Sequence, residues 1–128
     1  HNTETVPRLY KRARPGGRYE RVLQIFRYAK QVAPQIPTKT GMILGLGETV
    51  DEVVATMREL RGVDVDILTL GQYLRPSNDH LPLDRYYTPE EFRQLRQIGM
   101  GMGFRHVESG PLVRSSYHAW EQVQAAGV

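Results

Sequence analysis

Residues 38–73 read TKTGMILGLGETVDEVVATMRELRGVDVDILTLGQY and contain two apolar runs separated by one amphipathic segment. The runs Thr38–Leu46 and Val65–Tyr73 are short, bounded by turn residues and not strictly alternating, which is typical of parallel strands buried on both faces. Between them, Thr49 and Glu52 have the spacing of a capping box at a helix start. The sequence therefore predicts a strand–helix–strand unit. The buried stripe of its helix is formed by Val53, Val54, Met57 and Leu60.

Helices are also predicted on both sides of this unit. Upstream, apolar residues recur at helical spacing from Tyr19 to Ala33, and Pro34 stops the helix. Downstream, Thr88–Glu91 supplies a cap, an N1 proline and an N3 glutamate, and Arg105–Val107 is a third candidate strand. The order α-β-α-β-α-β indicates a parallel α/β sheet with outer helices. Because so few strands cannot close a barrel, we expect residues 1–128 to be one part of a larger barrel domain.

Length and composition exclude several classes of protein. The chain has 128 residues, of which 40% are hydrophobic and 24% charged, so it is large enough for one domain. No apolar run approaches the roughly 18 residues of a membrane span, and no secretory signal pattern is present. The absence of cysteine excludes disulfides, zinc ribbons and an iron–sulfur cluster held by this chain alone. Since the chain begins with His1 and not methionine, we expect it to be a piece of a longer protein. We expect that protein in the cytoplasm, with an organelle as the alternative location.

The positive charge is concentrated at the front of the chain. Residues 1–39 hold nine Lys or Arg against two Glu, whereas residues 40–128 hold eight against twelve acidic residues. Fourteen of the seventeen cations are Arg, which grips carboxylates and phosphates with two donors. One interpretation is therefore a non-catalytic basic module that binds RNA or an acidic partner. No RNP-type aromatic pair, zinc finger or recognition helix accompanies the basic stretch, so nucleic acid is the less favoured partner.

Candidate ligand-binding residues follow the predicted strands. Ligands of parallel α/β folds bind at the carboxyl ends of the strands. Here those ends hold Gly45 and Glu48 after the first run, and Gln72, Tyr73 and Leu74 after the second. Glycines would let a ligand approach the backbone, and Glu48 would lie at the mouth. The alternative is a tight turn in which Glu48 serves the helix dipole.

The two termini carry weaker signals. Asn2 and Glu4 are two residues apart and could face one side of a strand end. Residues 110–119 are dense in polar groups, although Ser115 or Ser116 could equally be the N-cap of a terminal helix. The four histidines show no metal-ligand spacing.

Four motifs together resemble the lipoyl synthase family of radical S-adenosylmethionine enzymes. They are HNTETVPRLYKRARPG at 1–16, TKTGMILGLGET at 38–49, LTLGQYLRPS at 68–77 and SGPLVRSSYHA at 109–119. The resemblance implies a partial (β/α)6 barrel of the TIM type, of which this chain is the second half, with a C-terminal extension reaching the active site. It implies sulfur insertion at C6 and C8 of a protein-bound octanoyl chain. It also implies S-adenosylmethionine and two [4Fe–4S] clusters as cofactors, with the cluster cysteines upstream.

The resemblance also implies roles for particular residues. Ser115 would be a ligand of the sulfur-donating cluster, with Ser116 as the alternative, and Arg114 would stabilise the ionised ligand oxygen. A hydroxyl binds iron more weakly than a thiolate, so that iron would be the one released. The residues implied to bind S-adenosylmethionine are Asn2, Glu4, Arg14, Lys39, Gly45, Glu48, Gln72, Tyr73 and Leu74.

The implied partners are octanoylated lipoyl-carrier domains, namely 2-oxoacid dehydrogenase subunits and the glycine cleavage H protein, together with the missing N-terminal half. Without the cysteines of that half, we expect the chain by itself to be inactive.

Overall fold

A computed structural model describes residues 1–114, and its main elements follow the predicted α-β-α-β-α-β order. Ser115, Ser116 and the predicted terminal helix lie outside the described residues. A 3-10 turn (Pro7–Leu9) leads into a short helix that the sequence analysis did not predict. The elements are α1 (Tyr10–Ala13), α2 (Tyr19–Val32), β1 (Lys39–Leu44), α3 (Val50–Gly62), β2 (Ile67–Gln72), α4 (Pro89–Gly101) and β3 (His106–Gly110).

The three strands form one parallel sheet in the order β1-β2-β3. The register aligns Gly41 with Thr69 and Thr69 with Glu108. The N-terminal segment extends the sheet beyond β1, because the N–H of Glu4 donates to the carbonyl of Gly41 at 2.9 Å and the N–H of Ile43 donates to the carbonyl of Glu4 at 2.8 Å. Residues next to Glu4 thus cover the outer edge of β1.

The helix boundaries confirm the capping predictions. In α3 and α4, the side chains of the N-cap threonines Thr49 and Thr88 accept from the N–H of Glu52 and Glu91. Each glutamate carboxylate in turn accepts from the backbone N–H of its threonine. α2 ends at Val32, two residues before Pro34, as the sequence predicts. The first two strands are shorter than predicted and β3 runs on to Gly110.

The hydrophobic core lies between one face of the sheet and the helices. Strand side chains alternate between the two faces. Those on the helix side are buried with apolar residues from α2, α3 and α4, and full burial of each such side chain contributes about 1.5–3 kcal/mol. The core residues from the strands are Met42, Leu44, Leu68, Leu70 and Val107; those from the helices include Val22, Phe26, Val53, Met57, Leu60, Phe92 and Leu95.

The opposite face of the sheet carries small side chains in its middle. Gly41, Thr69 and Gly71 lie there, and the chain after β3 turns back across them. A Cβ at Gly71 would lie 2.3 Å from the carbonyl oxygen of Val113, so this crossing requires glycine. No helix within residues 1–114 is long and apolar enough to cross a membrane.

Candidate functional site

The face opposite the helices contains a cavity of about 270 Å³, called here the inner-face cavity. Asn2 and Glu4 lie on one side of it, and Val113 and Arg114 lie on the other. The floor is provided by the strands. Its lining residues there are Gly41, Met42, Ile43, Thr69 and Gly71. The two ends of the described chain therefore bring three predicted site residues, Asn2, Glu4 and Arg114, to one cavity.

Two strand positions in the floor of the inner-face cavity, Gly41 and Gly71, lack side chains, and other parts of the chain approach the backbone there. A Cβ at Gly41 would lie 2.5 Å from Thr69 Oγ1, closer than real contacts allow, and 3.2 Å from Asn2 Oδ1, which is a tight contact. Polar groups of Asn2 and Thr69 can therefore approach the backbone of β1. The result is a shallow polar floor suited to a ligand with hydroxyl or amino groups.

Glu4 has a backbone conformation that is uncommon for a residue with a side chain. Its φ is 74°, in the left-handed region, where an ordinary residue is destabilised by about 1–2 kcal/mol. The bonds to Gly41 and Ile43 hold this conformation. The Glu4 Oε1 atom lies 3.5 Å from Arg14 Nη1, so two predicted site residues form an ion pair whose side chains both remain partly exposed. A carboxylate and a guanidinium are thus presented together beside the cavity.

Three further predicted residues, Gly45, Glu48 and Gln72, form a buried cluster with Tyr87, called here the loop anchor. The Glu48 carboxylate, 6% exposed, accepts from the N–H groups of Gly45 and Leu46 at 2.9 and 3.1 Å and from the Tyr87 hydroxyl at 2.7 Å. Burial raises the pKa of the Tyr87 hydroxyl, and the hydrogen bond to Glu48 raises it further. These contacts favour the turn interpretation of Glu48.

Gln72 fixes the long segment between β2 and α4. Its Nε2 donates to the carbonyls of Tyr73 and Arg85, each at 3.1 Å, and its Oε1 accepts from the N–H of Tyr87 at 2.9 Å. Gly45 (φ 109°) has no room for a Cβ, which would lie 2.5 Å from the Arg85 carbonyl oxygen and from Gln72 Nε2. The amide of Gln72 is therefore used within the chain.

A larger cavity of about 450 Å³ lies at the carboxyl ends of the strands, between α1 and the segment after β2. We call it the strand-end cavity. Tyr73 lines it and donates through its hydroxyl to the carbonyl of Leu81 at 2.6 Å. Its other lining residues are Arg12, Ala13, Pro15, Ile43, Leu46, Asp79, His80, Leu81 and Pro82. Ile43 lines both cavities.

Two predicted residues lie apart from both groups. Lys39 is the first residue of β1, at the strand end opposite Gly45. Burial lowers the pKa of Lys39, and the nearby Glu108 carboxylate acts in the opposite direction. Leu74 follows β2 with its side chain 48% exposed. The structure therefore places the other predicted residues in two groups. The group in or beside the inner-face cavity consists of Asn2, Glu4, Arg14 and Arg114. The group at the carboxyl ends of the strands consists of Gly45, Glu48, Gln72 and Tyr73.

Two residues of these sites, Thr69 and Tyr87, were not predicted from the sequence. Thr69 lies inside an apolar run, and only the alternation of the strand could have assigned it to the open face. Tyr87 precedes a helix cap, and no local pattern relates it to Glu48, which lies 39 residues earlier. Both acquire their places through tertiary contacts.

The predicted cluster ligand Ser115 lies outside the described residues. Within residues 1–114, no group of three or more His, Cys, Asp or Glu side chains could hold a metal ion.

Two of the cations in the basic front part of the chain are paired with carboxylates of other elements. Arg8 binds Glu52 with two bonds of 2.8 and 2.9 Å, and Lys30 lies 2.7 Å from Asp66.

Sequence comparison relates almost all of this chain to one enzyme family. The chain is 62% identical over 98% of its length to a lipoyl synthase of Koribacter versatilis, covering 41% of that protein. It is 60% identical to a lipoyl synthase of Rubrobacter xylanophilus and 54% identical to one of Xylella fastidiosa, covering 39% and 34% of those proteins. No protein-family profile matches the chain.

These relatives are roughly two and a half times as long as the chain, so it represents one portion of their length. Identities of 54–62% over 98–100% of the chain are far above the level at which homology is in question. The chain is therefore homologous to one portion of the lipoyl synthases, spanning about two-fifths of the length of the relatives it matches.

Proposed function

We propose that this chain is the second half of a lipoyl synthase barrel and supplies one wall of its cofactor and substrate pocket. The observation that carries the proposal is the inner-face cavity, in which Asn2, Glu4 and Arg114 meet over a glycine floor within a chain homologous to lipoyl synthases. The parallel sheet with helices on one face is compatible with part of a (β/α)6 barrel. In such a barrel, the inner-face cavity would face the central pocket.

The residues around the two cavities fit S-adenosylmethionine. Asn2 and Glu4 offer an amide and a carboxylate to hydroxyl and ammonium groups, and Arg14 can pair with a carboxylate. Ile43 and Tyr73 give the strand-end cavity apolar surface for a planar base. When bound and reductively cleaved, this cofactor would supply the radical that abstracts hydrogen from the substrate. The chain's own residues bind and orient the cofactor and exclude water.

The loop anchor serves this pocket indirectly. Gly45, Glu48, Gln72 and Tyr87 hold the segment after β2 over the carboxyl end of the sheet, and that segment closes one side of the strand-end cavity. Glu48 and Gln72 are therefore proposed as positioning residues whose side chains stay bound to the protein. The ligand would meet the backbone beside them.

The described residues do not fit an iron–sulfur cluster. They contain no thiolate, and clusters are held by cysteine thiolates. We therefore propose that the chain by itself is catalytically inactive. Ser115, which follows the cavity-lining residue Arg114 in the sequence, is proposed as the one cluster ligand that this half contributes.

The proposed reaction of the whole enzyme is sulfur insertion at C6 and C8 of an octanoyl chain attached to a carrier protein. Its product is the lipoyl group, and its substrates are the octanoylated domains of 2-oxoacid dehydrogenases and the glycine cleavage H protein. The cytoplasm of a bacterium is the proposed location, since the three relatives described above are bacterial proteins.

Cofactor binding tests this proposal directly. The cysteine-bearing half of a related lipoyl synthase is joined before His1, the clusters are reconstituted, and binding of S-adenosylmethionine is measured by equilibrium dialysis. We expect Glu4→Gln to weaken binding at least about tenfold, because it removes a carboxylate from the cavity wall. The matched control is Glu20→Gln on exposed α2, which should bind as the unsubstituted chimera does. Equal binding by both variants, or none by the loaded chimera, would contradict the proposal.

A further inference from the structure

The chain between the first strand-like residues and α2 is strongly basic. Residues 5–18, called here the basic segment, contain five cations and no carboxylate. The segment lies at the carboxyl end of the sheet, because Arg8 Nη2 donates to the carbonyl of Gly47 at 2.8 Å and Arg12 lines the strand-end cavity. Positive charge is therefore concentrated beside the mouth of the proposed pocket.

Most of the unpaired cations of the described chain lie in or near this segment. Seven Lys and Arg side chains make no hydrogen bond or ion pair with residues 1–114, and five of the seven lie between positions 11 and 27. These five are Lys11, Arg12, Arg18, Arg21 and Arg27. All five side chains belong to exposed residues. Their charge is thus available to a partner.

Local stability does not account for these cations. α2 begins after Arg18, whose side chain makes no cap bond, and Arg21 lies in its first turn. Cations at a helix start oppose the helix dipole by about 0.3–1 kcal/mol each. In contrast, α3 and α4 begin with threonine caps and two acidic residues each. The first turn of α2 holds one acidic residue, Glu20, beside Arg21. The cations at the start of α2 therefore do not stabilise the helix, which favours a role for them in binding.

The tyrosines at positions 10 and 19 are not available for stacking on nucleic-acid bases, whereas Tyr28, further along α2, is 67% exposed. Tyr10 and Tyr19 are buried, and their hydroxyls donate to the Thr3 carbonyl and, at 3.1 Å, to Glu59 Oε1. Single-stranded nucleic-acid sites combine cations with exposed aromatic platforms. The basic segment offers charge without such a platform, which favours a surface of carboxylates on a protein.

We infer that the basic segment is a docking surface for an acidic face of the protein domain that carries the octanoyl chain. This inference rests on the proposed function, in which the substrate chain is tethered to a folded domain. Docking beside the strand-end cavity would place the tethered chain next to the pocket, and opposite charges would guide the encounter. Lys11 and Arg18 contribute charge to the docking and are not lining residues of the inner-face or strand-end cavity.

The test measures binding of an octanoylated glycine cleavage H protein of net negative charge to the 128-residue chain by fluorescence anisotropy. The double variant Lys11→Glu and Arg18→Glu should bind at least about tenfold more weakly, and raising the salt concentration should weaken binding of the original chain. The matched control is Arg58→Glu with Arg96→Glu, which makes the same change in net charge at two exposed helix positions elsewhere. It should bind within about twofold of the original chain. Circular dichroism checks that all three proteins are folded.

The other outcomes separate the possible explanations. Equal weakening by both double variants would overturn the docking surface, since only net charge would matter. No binding of the carrier, together with steeply salt-dependent binding of a random-sequence RNA oligonucleotide, would overturn it in favour of a nucleic-acid partner. The proposed function has its own readout in cofactor binding by the chimera, so the failure of one proposal is distinguishable from the failure of the other.

Discussion

The buried Tyr87 hydroxyl shows how one side chain can fix a loop. It donates to Glu48 Oε2 at 2.7 Å, while the Tyr87 N–H donates to Gln72 at 2.9 Å. The guanidinium of Arg85 also lies 3.8 Å from the centre of the Tyr87 ring. One residue therefore connects the turn after β1, the end of β2 and the segment before α4.

Replacing Tyr87 by Phe should reduce the free energy of unfolding by about 1–3 kcal/mol, because a buried carboxylate loses one of its three donors. Urea unfolding at pH 7 measures this change. Tyr86 is the matched control, since it is 66% exposed and Tyr86→Phe should alter the free energy by less than about 0.5 kcal/mol. Similar values for the two variants would show that the hydroxyl bond does not hold the loop.

At the scale of single residues, sequence reasoning located Gly45, Glu48 and Gln72 because turn residues directly follow apolar runs. It could not decide between ligand binding and turn stabilisation for Glu48. That decision depends on Tyr87, which folding brings from 39 positions away. Glu4 and Arg14 were identified singly, and their ion pair is a tertiary contact.

At the scale of elements, the crossing of the chain over Gly71 links β2 to the residues that precede Ser115. Gly71→Ala should lower the free energy of unfolding by about 1–3 kcal/mol, because its Cβ would lie 2.3 Å from the Val113 carbonyl oxygen. Gly101→Ala is the control, because open space surrounds that position in α4 and alanine favours a helix by up to about 1 kcal/mol. An unchanged stability for Gly71→Ala would mean that residues 111–114 do not lie across the sheet. Chemical denaturation of the two variants gives the comparison.

Two ion pairs, Arg8–Glu52 and Arg85–Glu91, called here the arginine clamps, connect separate elements. They make the stability of the fold sensitive to acid. The Arg8 guanidinium lowers the pKa of Glu52 to about 2, and the Arg85 guanidinium lowers that of Glu91 to about 2. A carboxyl group with a lowered pKa in the folded state stabilises it above the ordinary value of 4.5. This contribution is lost as the pH falls from about 4.5 towards 2.

The original chain should therefore exceed Glu52→Gln in stability at pH 6, and the difference should shrink steadily between pH 4.5 and 2. Denaturant unfolding over this pH range measures it. Glu20→Gln, an exposed substitution for which no ion pair is found within residues 1–114, serves as the control with no such trend. A difference that stays constant down to pH 2 would show that the clamp does not respond to protonation.

Helices and strands were the most predictable features, because capping boxes, Pro34 and the apolar runs act locally. The short helix Tyr10–Ala13 was missed, since it carries no strong cap and lies within a cation-rich stretch. The contribution of Glu4 to the sheet was also beyond local patterns. A single parallel bridge between Glu4, itself a left-handed residue, and Met42 leaves no period in the sequence.

At the scale of the whole molecule, the inner-face cavity lies on the face of the sheet opposite the helices. The carboxyl ends of the strands carry the strand-end cavity, the loop anchor and the basic segment. The residues from the front of the chain meet those from its far end in the inner-face cavity, as Asn2 and Arg114 do. This arrangement is what a half-barrel would present to the half that completes it. Homology to lipoyl synthases over 98% of the chain gives the arrangement its proposed chemistry.

Restoring the whole enzyme in a cell tests whether this chain is the second half of a lipoyl synthase. The cysteine-bearing half of a related lipoyl synthase, joined before His1, is expressed in a strain that requires lipoate, with Ser115→Ala and Ser116→Ala tested alongside. We expect growth without lipoate for the chimera, loss of growth for Ser115→Ala and retained growth for Ser116→Ala. A chimera that is soluble and loaded with clusters but gives no growth would contradict the assignment of this chain to a working lipoyl synthase.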